Sequence, residues 1–129
     1  MAGSFSNFLE NEVLDHLFTA GAYARPATYV ALYTAAPTAA GGGTEVSGGS
    51  SARVQVTAWD TASGGATANT GAITFPTASA SWGTVVAFGI LDAASAGNLL
   101  AWGDLTAPKA VGSGDTIEFA AGALDITLD

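Results

Sequence analysis

The chain has 129 residues, no cysteine, and three basic residues (Arg25, Arg53, Lys109) against eleven acids, for a net charge of −8. Disulfides, thiolate nucleophiles and zinc–thiolate centres are thereby excluded, and three scattered cations cannot supply the clustered charge that nucleic acid or an anionic membrane surface demands. Hydrophobic residues make up 49%, yet 28 residues are alanine, so the expected core is modest and much of the surface is smooth and small.

The length favours one domain, 1–129. Its opening segment, MAGSFSNFLENEV, has neither a basic stretch nor a continuous apolar run, so no secretion signal is expected and synthesis is placed in a cytoplasm. No apolar run approaches the roughly 20 residues of a membrane span.

Phe5, Phe8, Leu9, Val13, Leu17 and Ala20 recur at spacings of three and four, which predicts an amphipathic helix over 4–20. Ser4, Ser6 and Asn7 offer caps, Glu10 and Glu12 suit the first turns, and Gly21 suits the stop. After it the pattern changes to strand and turn. ATYVALYT (27–34) lies between Pro26 and Pro37, ARVQVTAW (52–59) alternates around Val54 and Val56, and AITF (72–75) stops at Pro76. TVVAFGIL, NLLAWG, DTIEF and ALDITL follow at short intervals. The expected fold is mainly β: an antiparallel β-sandwich or small barrel over 27–129 carrying one N-terminal helix. TAAGGGTEVSGGSS (38–51) is expected to be a mobile surface loop.

Two C-terminal hairpins differ in their patterning. In ALDITLD, Leu124, Ile126 and Leu128 alternate with Asp125 and Thr127, so one face meets core and the other water. The segment from Ser81 to Leu105 does not alternate. Pairing Leu91 with Leu99 sets Ile90 opposite Leu100 and Phe88 opposite Trp102, a bulky face assigned to the core. The other face then carries Ala87, Gly89, Leu91, Leu99, Ala101 and Gly103, apolar but shallow; it admits close approach by the N-terminal helix or by a neighbouring subunit and is the candidate subunit-contact surface. A one-residue slip would exchange the faces.

Chemistry is sparse. DAASAGN (92–98) starts with Asp and has Gly at its sixth position, as a calcium loop does, but Ala94 and Ala96 supply no side-chain oxygen, so a hairpin turn is expected. GGGTEVSGG lacks the Lys-Ser/Thr ending of a phosphate cradle. His16 is the single histidine and falls beside the apolar stripe, which predicts a boundary position. Asp92, Asp104, Asp115, Glu118 and Asp125 fall on C-terminal strands and turns and are expected to be solvated there rather than paired for catalysis. No catalytic, cofactor or metal site is predicted. Trp59, Trp82 and Trp102 are expected in core or interface positions, with Trp59 and Trp82 as the alternative platform for a glycan.

SFSNFLENEVLDHLF, PATYVALYTAAPT, GGTEVSGGSSARV, FPTASASWGTVVAFGILDAASAGNLLAWGDL and KAVGSGDTIEFAAGALDITL together resemble a family of short tailed-bacteriophage virion proteins, often labelled tail-fibre or phage structural proteins. The resemblance covers nearly the whole chain. It implies a non-enzymatic virion component whose partners are other virion proteins, the major capsid protein or tail proteins. The chain has no heptads, triple-helical repeats or β-helix repeats with which to extend a shaft. It is therefore expected to be a compact, homo-oligomeric unit on the outer surface of the particle, a head decoration or cement subunit. A tail-fibre or tail-tip module is the alternative address, and a host-surface carbohydrate binder the alternative class.

Overall fold

A computed structural model describes residues 3–19 and 21–127. In chain order the elements are β1 (Gly3–Phe5), α1 (Asn7–Phe18), β2 (Tyr29–Ala35), β3 (Thr44–Glu45), β4 (Val54–Gln55), β5 (Ala66–Ala68), β6 (Ile73–Thr74), β7 (Gly83–Leu91), β8 (Leu99–Val111), β9 (Glu118–Phe119) and β10 (Asp125–Thr127). The fold is mainly β and antiparallel, with one helix near its start. A main sheet runs β1-β8-β7-β2-β3, with β4 also pairing β2. Two ribbons, β10-β5 and β6-β9, complete the strands.

The core lies between that sheet and the ribbons. Val30 and Leu32 of β2, Val85, Phe88 and Ile90 of β7, and Leu100 and Val111 of β8 join Ile73, Phe75, Ile117 and Leu124 in one buried cluster. Phe119 contributes edge-on ring contacts to Phe75 and Phe88, at 6.0 and 6.2 Å between centroids, a favoured aromatic arrangement. Buried Asn69 ties the ribbons together. Its Nδ2 donates to the carbonyls of Gly71 and Ala120, and its Oδ1 accepts from Leu124 N. A buried amide is tolerated because its donors and acceptor are satisfied.

The helix is shorter than the 4–20 span. Residues 3–5 pair with β8, Phe5 opposite Ala101, so the apolar stripe loses its first member to a strand. Ser6, not Ser4, is the cap: its Oγ accepts from Leu9 N and donates to the carbonyl of Leu99, while its N donates to Leu100 O. Thr19 ends the helix by bonding back to Asp15 O, and Ala20, the last residue of the stripe, lies outside the described residues. Leu124, just before β10, is buried and Ile126 packs against the core, while Asp125 and Thr127 are exposed; Leu128 lies outside the described residues.

Segment 38–51 is tied down at several points. It contains β3, which pairs with β2; Ala39 O accepts from Asn7 N, and Gly49 O accepts from Trp82 Nε1 at 2.8 Å.

Candidate functional site

The β7–β8 hairpin is the centre of the sheet, and its register departs from simple pairing at two places. Leu91 faces Leu99, but Ile90 faces Ala101, so β8 spends one extra residue, Leu100. Further along, β8 takes five positions from Asp104 to Lys109 while β7 takes two from Ala87 to Val85. Pro108 stands in that irregularity, where it removes no regular ladder bond.

The extra residue at Leu100 exchanges the faces. Ala101 and Gly103 lie opposite Ile90 and Phe88, on the core side, whereas Trp102 lies opposite Gly89 on the other side. The assignment of Trp102 to the bulky face, and of Ala101 and Gly103 to the shallow one, is therefore corrected, because side chains alternate and one inserted residue inverts all that follow. Phe88, Ile90 and Leu100 are buried in the main core. Trp102 is half-buried, and its Nε1 is enclosed without a hydrogen bond among the described residues.

The shallow face is not open to a neighbour. Ala87, Gly89 and Leu91 on it are buried within the chain, as are Ala101 and Gly103 on the core side, and Leu99 alone of the candidate contacts keeps partial exposure. The cover comes from Tyr33, which packs with Ala31, Ala87 and Leu91. A Cβ on Gly89 would stand 2.7 Å from Tyr33 Cε1 and 3.1 Å from Leu99 Cδ1. A larger residue there would have to displace the Tyr33 ring, which already occupies the space.

Arg53 secures this side of the molecule. Its Nε and Nη2 grip the two carboxylate oxygens of Glu45 at 2.8 and 2.7 Å, and its Nη1 donates to the carbonyls of Ala93 and Ala96, both at 2.8 Å. One largely buried guanidinium thus ties β3 to the β7–β8 loop, and the planar fork suits such a bidentate grip. The Glu45 bond holds Arg53 firmly charged against its burial. Tyr33 is pushed above its ordinary value by burial and then by Glu45, with Arg53 opposing.

The acids of the C-terminal half act as local acceptors. Asp92 receives Asn98 N at 2.7 Å and Asn98 Nδ2 at 3.0 Å, which closes the 92–98 loop; a Cβ on Gly97, at φ 79°, would meet Asp92 Oδ1 at 2.5 Å. Asp115 accepts from Gly112 N, and Glu118 from Thr74 Oγ1. Asp104 and Asp125 are exposed. Among the described residues, no group of three or more His, Cys, Asp or Glu side chains could hold a metal ion.

Neither tryptophan offered as a glycan platform presents an open ring. Trp82 is 5% exposed, and Trp59 packs against the core with its Nε1 donating to Thr28 Oγ1 at 3.0 Å. His16 is exposed rather than at a boundary, and its Nδ1 accepts from Tyr23 N at 3.2 Å.

What the chain leaves uncovered is the far face of α1. The helix buries no residue fully; Phe8 and Leu9 pack against the core, but Leu14, Leu17 and Phe18 are 54, 64 and 77% exposed. The spacing read from the sequence puts Leu17 on the inward stripe and leaves Leu14 and Phe18 out of it. The signal was present as a second apolar set at i, i+3 and i+4 on a helix whose inward stripe was already complete. Large apolar side chains clustered in this way mark contact sites, whereas scattered ones do not.

Comparison with known proteins decides the class. A family model described as podophage GP4 fiber I protein gp80 matches residues 4–127. The chain belongs to this family. Membership makes it a structural component of a phage virion, one that works by contact with other virion proteins. No match was found among curated protein sequences.

Proposed function

We propose that this protein is a non-enzymatic fibre module on the outside of the phage particle, acting as one domain that joins neighbouring subunits through the uncovered face of α1. The observation that carries the reading is the set of Leu14, Leu17 and Phe18, three large apolar side chains exposed on a fold that otherwise covers its apolar surface well enough to bury small residues on both sides of β7. Their burial against a neighbour would contribute about 25 cal/mol for each Å² removed from water. The family description favours a fibre address over the head decoration expected from composition. A compact unit without shaft-forming repeats serves a fibre by linking units. Net charge of −8 disfavours contact with packaged DNA and suits an outer position.

Quantitative mass spectrometry of purified particles, with immunogold labelling, tests the address. Far fewer copies than the major capsid protein, with label at the tail, is the expected result; a copy number comparable with that protein and label over the head would replace the fibre reading by decoration.

A further inference from the structure

The uncovered helix face has an outward stripe of Glu10, Leu14, Leu17 and Phe18, at offsets of four, seven and eight residues, with Asp15 flanking it. Its occupant must be concave. Three side chains supply only a small part of the roughly 800 Å² per partner of a standard interface, so a flat partner would gain little from them, whereas a groove can enclose them as anchors. Its occupant must also tolerate carboxylates. Two such helices packed face to face would bring Glu10 and Asp15 against their own copies, and like charges oppose that pairing.

One groove on this chain meets both conditions. Between the second half of β8 and β9 runs an open cleft of about 600 Å³ lined by Leu105, Lys109, Ile117, Glu118, Phe119 and Ala123. Its apolar floor is half-buried Leu105 and Phe119 with buried Ile117. Lys109 makes no ion pair among the described residues, while the Glu118 carboxylate is engaged by Thr74 Oγ1. Thr106, Thr116 and the Glu118 carboxylate line the same cleft, so the complement it offers an acidic helix with an apolar tip is local: a floor of Leu105, Ile117 and Phe119 with one cation, Lys109, free of an ion pair among the described residues.

We infer that the α1 tip of one copy docks in the β8–β9 groove of a second copy, with Leu14, Leu17 and Phe18 on Leu105, Ile117 and Phe119, and Glu10 near Lys109. The inference rests on the assembly role proposed above and names its partner. Every copy carries both a tip and a groove, so the contact is heterologous. Such contacts close into a ring or continue into a filament, according to the rotation between copies.

Sedimentation velocity on the full chain over a wide concentration range is the test. Self-association is expected, weakened at least about tenfold by Phe18→Ser, as for a truncated anchor. Lys109→Glu and Glu10→Lys should each weaken it about three- to tenfold, and the double exchange should recover most of the loss. Circular dichroism of the exposed variants should match the parent. A parent that stays monomeric at every concentration overturns the inference. So does association lost in Phe18→Ser but untouched by Lys109→Glu, which is the signature of tip-to-tip pairing, or a double exchange that recovers nothing. The particle count above can fail while self-association holds, and the reverse, so the two readings are separable.

Discussion

The loop end of β7 and the helix α1 are both short apolar segments, and the fold treats them in opposite ways. From Ala87 to Leu91 every residue is buried, with Phe88 and Ile90 on the core side and Ala87, Gly89 and Leu91 beneath Tyr33. In α1 no residue is buried, and three of its large apolar side chains, Leu14, Leu17 and Phe18, stand more than half exposed. Smoothness does not mark a contact surface here. Small side chains let the chain's own Tyr33 close over the sheet, and it is the bulky residues of the helix that remain unsatisfied.

The sharpest way to break this contrast is to fill the closed face. Gly89→Leu is expected to cost about 3 kcal/mol, because its first carbon already overlaps the buried Tyr33 ring, which must shift to admit it. Urea unfolding checks it; a normally stable monomer that only fails to associate would return the face to the role of a subunit contact. Arg53→Ala follows, at about 2–3 kcal/mol, since it strands the Glu45 carboxylate and two loop carbonyls. Amide exchange in residues 92–98 should accelerate in step, and Arg53→Lys should recover little because an ammonium cannot grip both oxygens.

A smaller effect comes from pH. Burial raises Tyr33 above its ordinary 10.0, so the folded state holds this proton more tightly than the unfolded chain does. Between pH 10.0 and the raised value the unfolded state binds fewer protons, and stability falls as pH rises. Below pH 10.0 the contribution is fully present. Alkaline unfolding curves of the parent and Tyr33→Phe should therefore converge as the pH climbs past 10; parallel curves would deny that burial holds the proton on this hydroxyl.

The outline of this architecture was legible in the sequence because it depends on local patterns. Pro26, Pro37 and Pro76 bracket strands, and period-two alternation marks Leu124 and Ile126. The faces of the hairpin were not legible. Nothing in NLLAWG announces that Leu100 is an extra residue, and a bulge is a property of two strands meeting. Arg53 was hidden for a similar reason, since its partners Glu45, Ala93 and Ala96 lie 8 to 43 positions away and only the fold gathers them. β1 went unseen because Phe5 fits the helical stripe as well as it fits a strand.

The mildest substitution separates the two regions most cleanly. Phe18→Ser should change the stability of the isolated monomer by no more than about 0.5 kcal/mol, because a side chain 77% exposed loses almost no packing when truncated. Its effect belongs to association alone. A residue that is silent in urea at low protein concentration and decisive in sedimentation at high concentration has its energetic partner outside the chain. Gly89→Leu should show the converse, unfolding at every concentration. If Phe18→Ser instead lowered monomer stability by several kcal/mol, α1 would be packed on its own sheet more tightly than its exposure shows, and both regions would belong to the closed interior.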